Sequence, residues 1–430
     1  MGNSLTTEFS CTSPIETPLS FHLCFAMSIE PPLAPSPDGS VGVGSPAYYR
    51  INLALFCAGF ITFVTLYDVQ PLLPLFAESF GVSPALSSLP LSLATTSLAV
   101  GMLFAGTLSE SLGRRRTILF ALLITSLLAL ATGLCRSFEA LLTLRLLQGM
   151  ALAGVPSVAM AYLGEEMDNK ALGSAMGLYI SGNAFGGMSG RIGSALLCDH
   201  FKWSSAIAII GGLSLILTLV SWFALPPQKG NTLRPFRAAY LLSSLGRQLQ
   251  NRALLCLYAL AFLCMGGFVS LYNYIGFRLM ALPYSLPAAT VSLIFLVYLL
   301  GSFSSGMVGR LTHRFPLASL LNLTLLAMFI GTLVTLFTPL PLIVFGVAGV
   351  TCGFFGAHAL ASSWVGRLAG NGKAQAASLY LFCYYQGSSL SGTLGGLFWE
   401  HAGWPGTAGM IATLLMIALV VASKLKLLTS

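Results

Sequence analysis

The sequence predicts an all-α membrane protein of twelve transmembrane helices, arranged as two pseudo-symmetric bundles of six. Three observations support this: the chain is too apolar for a soluble protein, its apolar residues form twelve segments of membrane-spanning length, and its second half repeats landmarks of the first. Of the 430 residues, 56% are hydrophobic and 8% are charged, and a soluble fold of this size cannot bury so much apolar surface. The apolar runs are continuous rather than alternating, which argues against a transmembrane β-barrel.

The twelve apolar segments follow one another closely along the chain. A helix that crosses a bilayer needs about 20 predominantly apolar residues. In chain order we place the segments at 53–76, 87–108, 117–135, 138–162, 173–197, 204–225, 254–278, 287–309, 317–337, 340–364, 375–398 and 404–423.

These segments divide the chain into two bundles. The N-terminal bundle spans 49–225 and the C-terminal bundle spans 253–425, joined by a basic linker, 226–252. The linker contains an amphipathic stretch that suits the inner membrane surface. Residues 1–48 are rich in proline, serine and threonine, and we expect a disordered tail. An alternative is that the natural chain starts at Met27.

An internal repeat relates the two bundles. The matched stretches are Phe63-Val-Thr-Leu-Tyr-Asp68 with Phe268-Val-Ser-Leu-Tyr-Asn273, Gly106-x-Leu108 with Gly309-x-Leu311, and Leu178-Tyr179 with Leu379-Tyr380. Their offsets of 205, 203 and 201 residues change little and keep the same order. Chance similarity of apolar segments does not produce such collinear matches, so we infer a duplicated six-helix unit.

Basic residues lie mainly on one side of the predicted topology. Of the 21 lysine and arginine residues, three fall in outer loops (Arg136, Lys202 and Arg278) and two within segments (Arg145 and Arg191). The other sixteen lie on the inner side if the N-terminus is cytoplasmic. This bias follows the positive-inside rule and places both termini in the cytoplasm. The net charge of +8 is therefore a topology signal, and we expect no nucleic-acid partner.

Three motifs carry a family resemblance. They are Gly106-x-Leu-x-Glu110-x-x-Gly113-Arg114-Arg115-Arg116 between segments 2 and 3, Leu142-x-x-Arg145-x-x-Gln148-Gly149 in segment 4, and Gly173-x8-Gly182-x3-Gly186-Gly187-x2-Gly190-Arg191 in segment 5. With the repeat, they make residues 51–425 resemble the major facilitator superfamily. The third motif departs from the family's antiporter form, because Gly187 replaces a proline and Arg191 replaces the last glycine.

A narrower resemblance points to the YnfM-type inner-membrane transporters, which are described as drug or arabinose efflux carriers. The stretches that carry it are Tyr67-x-x-Gln70-Pro-Leu-Leu-Pro74, Gly177-Leu-Tyr-Ile-Ser-Gly-Asn183, Gly187-Met-Ser-Gly-Arg191 and Tyr274-Ile-Gly-Phe-Arg278. The resemblance implies the superfamily's fold, secondary transport by alternating access, and a multi-pass protein of a bacterial inner membrane.

The resemblance also implies a cytoplasmic gate. Its expected residues are Gly106, Glu110, Gly113, Arg114, Arg115, Glu165 and Glu166. In the family, such a turn ties helices 2 and 3 to helix 11 when the cytoplasmic side is shut. Here Glu110 can cap the start of segment 11 near Ala374. The acids that end segment 4 can pair with the arginines. The alternative is a solvated loop that only orients the chain.

Asp68 and Arg145 are the expected proton-coupling pair. Each lies roughly 10–12 Å from the outer end of its segment, so the two charges share a depth. An unpaired charge at the bilayer centre costs about 3 kcal/mol even on the lower insertion scale, which favours pairing. We expect Asp68 to be the protonatable carboxylate and Arg145 its partner. The alternative is a structural ion pair without proton traffic.

A further set of polar residues is expected to line a substrate cavity. The set is Gln70, Gln148, Asn183, Arg191, Asn273, Tyr385 and Gln386. The amides suit the orientation of a ligand, or they hold helices together. Arg191 either binds an anionic substrate group or snorkels to the outer surface. Tyr384 and Tyr385 suit an aromatic wall, and His358 is interpreted as a core residue.

These features favour a proton-driven exporter of a small drug-like or sugar-like molecule. The alternative within this class is uptake or facilitated diffusion of a sugar or metabolite. An integral-membrane enzyme is a third hypothesis, but it needs a clustered acidic or metal motif that the sequence lacks. The nine cysteines show no metal-ligand spacing, so we expect no metal and no cofactor. The expected partners are substrate, protons and lipid, and we expect a monomer.

Overall fold

The structure, a computed structural model, describes residues 40–228 and 238–429. Within these ranges it confirms the all-α prediction, and the only strand-like pairing there is an isolated bridge between Val41 and Met167. The predicted disordered tail falls largely on residues 1–39, which lie outside the described residues, and so does the alternative start at Met27.

Twelve helices of the described residues form the bundle. They are α1 (Pro46–Phe80), α2 (Leu89–Leu112), α3 (Arg114–Thr132), α4 (Phe138–Glu166), α5 (Asn169–Cys198), α6 (Trp203–Ala224), α7 (Arg252–Met280), α8 (Ala288–Leu311), α9 (Leu317–Val334), α10 (Leu340–Leu368), α11 (373–401) and α12 (404–429). The last two run together through a bend at Ala402 and Gly403, where the backbone leaves the helical region. A linker helix, Ala238–Leu249, precedes α7.

Ten helices among the described residues are long and apolar enough to cross a membrane by length and composition alone. This number differs from twelve for two reasons. The α11–α12 pair counts as one continuous helix, and α5 is missing from the set. Glycines and serines make α5 less apolar, but its 30 residues are long enough to span a bilayer.

Local sequence explains where several helices begin and end. Gly113 has φ of 90° and ψ of 129°, a conformation that glycine adopts without strain, so α2 turns directly into α3. The Asp168 side chain accepts a hydrogen bond from the Ala171 N–H at 2.6 Å and caps α5. Asn251 caps α7 in the same way. We call the end of the bundle that carries these three residues the basic face, and the opposite end the far face.

Glycines bring α5 against α1 in the first bundle. A Cβ at Gly182, Gly186 or Gly190 would lie 2.3–2.5 Å from a backbone carbonyl oxygen of α1. The second bundle repeats this packing between α11 and α7, where a Cβ at Gly387 would lie 2.1 Å from the Phe262 carbonyl oxygen. The pseudo-symmetry predicted from the sequence is therefore visible in the closest helix contacts of both halves.

The two halves meet toward the far face. The Ser92 hydroxyl donates to the Ser389 carbonyl at 3.1 Å, and the Thr96 hydroxyl donates to the Ser389 hydroxyl at 2.6 Å. Nearer the far face, the Ala85 N–H donates to Glu400 Oε1 at 3.0 Å. These contacts join α2 and the short helix before it, Pro84–Ser87, to α11 and close the bundle on that side.

Candidate functional site

A cavity of about 430 Å³ lies between the two halves. Aromatic side chains from both halves dominate its wall, among them Phe63, Tyr67, Phe268, Tyr298, Phe354 and Tyr384. In α5, which starts at the basic face, the lining begins at Ile180 and stops at Arg191. The cavity therefore lies on the basic-face side of Arg191, while the inter-half hydrogen bonds close the far side.

Arg191 closes the deep end of this cavity, and its side chain is 3% exposed. Its guanidinium carbon lies 3.8 Å from the centre of the Tyr67 ring, 4.8 Å from that of Tyr298 and 5.3 Å from that of Phe295. We call these three rings the aromatic cage. The Nη1 atom of Arg191 donates to the Gly187 carbonyl at 2.7 Å. Both residues line the cavity, so Arg191 faces the cavity instead of snorkelling outward.

An amide bridge links Arg191 to the other half. Its Nε donates to Gln70 Oε1 at 2.6 Å, and Gln70 Nε2 donates to Asn273 Oδ1 at 2.8 Å. Gln70 and Asn273 are both buried. This chain of hydrogen bonds runs from α5 through α1 to α7, so a movement of Gln70 changes the contact between the halves.

Asp68 and Arg145 form a fully buried ion pair. Arg145 Nη1 lies 3.3 Å from Asp68 Oδ1, and the two side chains are 1% and 0% exposed. Arg145 also donates to Gln148 Oε1 at 2.7 Å. Among the described residues, no group donates a hydrogen bond to Asp68 Oδ2. The predicted pairing is thus present, with one carboxylate oxygen left without a partner.

A break in α1 explains the position of this pair. The continuous helix ends at Tyr67, and a 3₁₀ turn follows at Gln70–Leu72. Pro71 and Pro74 lack the N–H groups that a continuous helix requires there. Arg145 donates to the buried carbonyls of Thr65 and Leu66, at 2.7 and 2.6 Å. The arginine therefore satisfies backbone groups that the break leaves without partners.

The structure brings together only part of the predicted cavity set. Asn183 and Arg191 line the cavity, whereas Gln70 and Asn273 lie behind the cage. Gln148 is buried against Arg145, and the lining includes neither Tyr385 nor Gln386.

One residue that lines the cavity was not predicted to do so from the sequence. His358, interpreted there as a core residue, lines the cavity. Its Nδ1 lies 2.9 Å from the Tyr380 hydroxyl, and its ring centre is 4.9 Å from that of Tyr384. The sequence signal for this position was a titratable histidine inside an apolar segment, one helical turn after Phe354.

The expected gate residues cluster at the basic face within the first half. Arg114 forms a two-bonded ion pair with Glu165, at 2.7 and 2.5 Å, and lies 4.0 Å from Glu110. Arg115 donates to the Leu225 carbonyl at 2.8 Å.

The other expected gate residues differ in their exposure. Gly106 lies one turn before Glu110 in α2. Glu166 is buried, and its carbonyl accepts a hydrogen bond from the Val41 N–H. Glu110 is exposed, and its described ion-pair partner is Arg114 instead of the start of α11.

Comparison with known proteins identifies the family. The model of the Major Facilitator Superfamily matches residues 53–392. The uncharacterized MFS-type transporter YybF of Bacillus subtilis is 47% identical over 376 residues, covering 87% of this chain and 93% of that protein. The inner membrane transport protein YnfM of Escherichia coli is 43% identical over 389 residues, covering 90% and 93%.

A solved structure agrees with this assignment at the level of the fold. The nucleoside transporter NupG superposes with a TM-score of 0.72 at 14% identity, covering 88% of this chain and all of that one. The family and these relatives are multi-pass membrane transporters of small molecules and not enzymes. The chain belongs to the major facilitator superfamily of secondary transporters.

Proposed function

We propose that this chain exports a small organic molecule in exchange for protons, by alternating access and as a monomer. It acts in the cytoplasmic membrane of a bacterium with both termini in the cytoplasm. The observation that carries the proposal is the buried pair of Asp68 and Arg145 at the break of α1. A carboxylate with one unpartnered oxygen, next to a fixed cation, is suited to gain and lose a proton.

The break of α1 places the protonatable Asp68 next to two residues that contact Arg191 in the cavity. Asp68 lies between Tyr67, which stacks on Arg191, and Gln70, which accepts a hydrogen bond from Arg191. Protonation of Asp68 weakens its attraction to Arg145, so the backbone at the break of α1 is less tightly fixed to α4. Tyr67 and Gln70 can then move, and the hydrogen bond from Gln70 to Asn273, which links the two halves, breaks.

The proposed direction, export, is supported by the side on which the cavity lies. The basic face carries most of the lysine and arginine residues, and the positive-inside rule places it in the cytoplasm. A cavity on that side of Arg191 is placed to load from the cytoplasm. Release outside requires the hydrogen bonds between α2 and α11 to break and the basic face to close.

We assign closure of the basic face to the turn at Gly113 and the charges around it. Arg114 is already oriented by Glu165, while Glu110 is exposed and available. When the halves rock together, Glu110 reaches the positive end of α11 near Ala374. Removing this contact lowers the rate of transport without changing the fold.

Purified protein in liposomes with an imposed pH gradient tests the proposal. The probes are arabinose, the ethidium cation and the benzenesulfonate anion, which differ in charge and aromaticity. Exchange predicts that at least one probe moves faster against an inward flow of protons and slower when the gradient is reversed. The opposite sign indicates proton-driven uptake, and no response to either gradient indicates facilitated diffusion. Both outcomes contradict the proposal.

A further inference from the structure

We propose that the cavity binds small aromatic anions, with the negative group on Nη2 of Arg191 and the ring between the aromatic walls. This inference rests on the proposed function, because it names the class of molecule that the same cavity transports. It narrows the substrate from any small organic molecule to one defined by charge and by shape.

The charge of Arg191 has no counter-ion within 4.0 Å among the described residues. The ion pairs of the described residues involve Arg114 and Arg145, and none involves Arg191. A buried cation without a carboxylate partner is unfavourable in a low-dielectric site. An anion that enters the cavity relieves this cost, so binding of a negative group is favoured over binding of a neutral or positive one.

One nitrogen of the guanidinium is available for such an anion. Nε is bonded to Gln70 and Nη1 to Gly187, while Nη2 makes no hydrogen bond to any described residue. Arg191 is one of the residues that line the cavity, so this nitrogen is the one left to bond a ligand there. The aromatic cage holds the cation in place without neutralising it, because a ring face attracts a cation but carries no net charge.

The walls of the cavity favour a ring, and they offer no carboxylate to a cation. Aromatic residues of α1, α7, α8, α10 and α11 surround the space, and no aspartate or glutamate is among the lining residues. A flat ring packs well between such side chains. The cavity volume of about 430 Å³ lies in the usual range for small-molecule sites, so the cavity is large enough for a substituted benzene ring.

Calorimetric titration of the purified wild-type protein tests the assignment with four probes. Benzenesulfonate has both features, methanesulfonate lacks the ring, benzyl alcohol lacks the charge, and benzylammonium reverses the charge. We expect benzenesulfonate to bind most tightly. If methanesulfonate binds as well, the aromatic part is wrong. If benzylammonium binds as well as benzenesulfonate or better, the assignment of charge is wrong.

A matched pair of arginine substitutions locates the site. Arg191→Gln lowers the affinity for benzenesulfonate by about tenfold or more, as expected for a lost charge-assisted hydrogen bond, and Arg191→Lys retains part of it. Arg278→Gln is the control, because Arg278 also lies near aromatic rings, those of Tyr284 and Trp404, but outside the cavity. Equal losses in Arg191→Gln and Arg278→Gln overturn the assignment. The wild-type ranking does not depend on whether a variant folds.

The binding test and the transport test fail independently. If ethidium or arabinose is exchanged for protons while benzenesulfonate does not bind preferentially, the proposed function stands and this inference is wrong. If benzenesulfonate binds preferentially but no pH gradient drives its movement, the inference stands and the proton-coupled function is wrong.

Discussion

Gly186→Ala tests the close approach of α5 to α1. The added Cβ would lie 2.3 Å from the Phe60 carbonyl oxygen and 2.8 Å from its Cα. The first distance is 1.1 Å below the 3.4 Å at which ordinary van der Waals contact begins. Both atoms belong to the backbone, so no side-chain rotation relieves the overlap, and α1 and α5 must separate by about 1 Å.

The expected cost is about 1–3 kcal/mol for overpacking, reduced by about 1 kcal/mol because alanine favours a helix more than glycine does. Gly177→Ala is the matched control in the same helix, since its Cβ meets nothing within 4 Å. Thermal unfolding of the protein in detergent measures both variants. We expect Gly186→Ala to lower the Tm and Gly177→Ala to keep or raise it. Equal shifts, or a Gly186→Ala variant as stable as wild type, contradict the packing argument.

Three further predictions concern the ion pairs and the far-face closure. Arg145→Met leaves a buried carboxylate and three backbone carbonyls, those of Thr65, Leu66 and Pro90, without this donor, so we expect a loss of about 3–5 kcal/mol, measured as poor yield and a lowered Tm. Arg114→Gln removes the ion pair with Glu165, whose side chain is 42% exposed, so we expect a change below about 1 kcal/mol but slower transport in liposomes; a large loss of stability contradicts this view. Ser92→Cys with Thr393→Cys places two thiols where the hydroxyls lie 2.8 Å apart. Oxidation should stop transport and reduction restore it, whereas unaffected transport after complete cross-linking refutes alternating access at this face.

The sequence predicted much of the fold because membrane helices leave strong signals. Continuous apolar length and the bias of basic residues depend on the bilayer alone, and the repeat fixed the division into halves. The Asp68–Arg145 pair was predictable for a related reason. Charges are rare inside a membrane, and two opposite charges at one depth are expected to meet.

The composition of the cavity was harder to predict, because it depends on helix rotation and on contacts between the halves. Tyr384 and Tyr385 are neighbours in α11, yet only Tyr384 lines the cavity, since successive helical residues point about 100° apart. The environment of Arg191 depends on Tyr298 and Phe295 from the other half. Depth alone allowed it to be either a surface anchor or a cavity charge.

The break in α1 had a sequence signal that the apolar pattern concealed. Segment 53–76 was predicted as one helix because its hydropathy is continuous, although it contains Pro71 and Pro74. The structure interrupts the helix between Asp68 and Leu72. Prolines in a membrane helix are tolerated where neighbouring groups satisfy the freed carbonyls. At this break, the carbonyls of Thr65 and Leu66 accept hydrogen bonds from Arg145, which lies in a different helix.

Coupling of protons to substrate at Asp68 is the central claim, and one recording tests it directly. Liposomes that contain a pH-sensitive dye report proton movement while the flux of a transported probe is followed in the same sample. In the wild type, each movement of probe should be accompanied by an opposite movement of protons. Asp68→Asn keeps a hydrogen-bond acceptor for Arg145 but cannot ionise, so it should exchange probe without any change in internal pH. Probe-dependent proton movement in Asp68→Asn that equals the wild type would contradict the account.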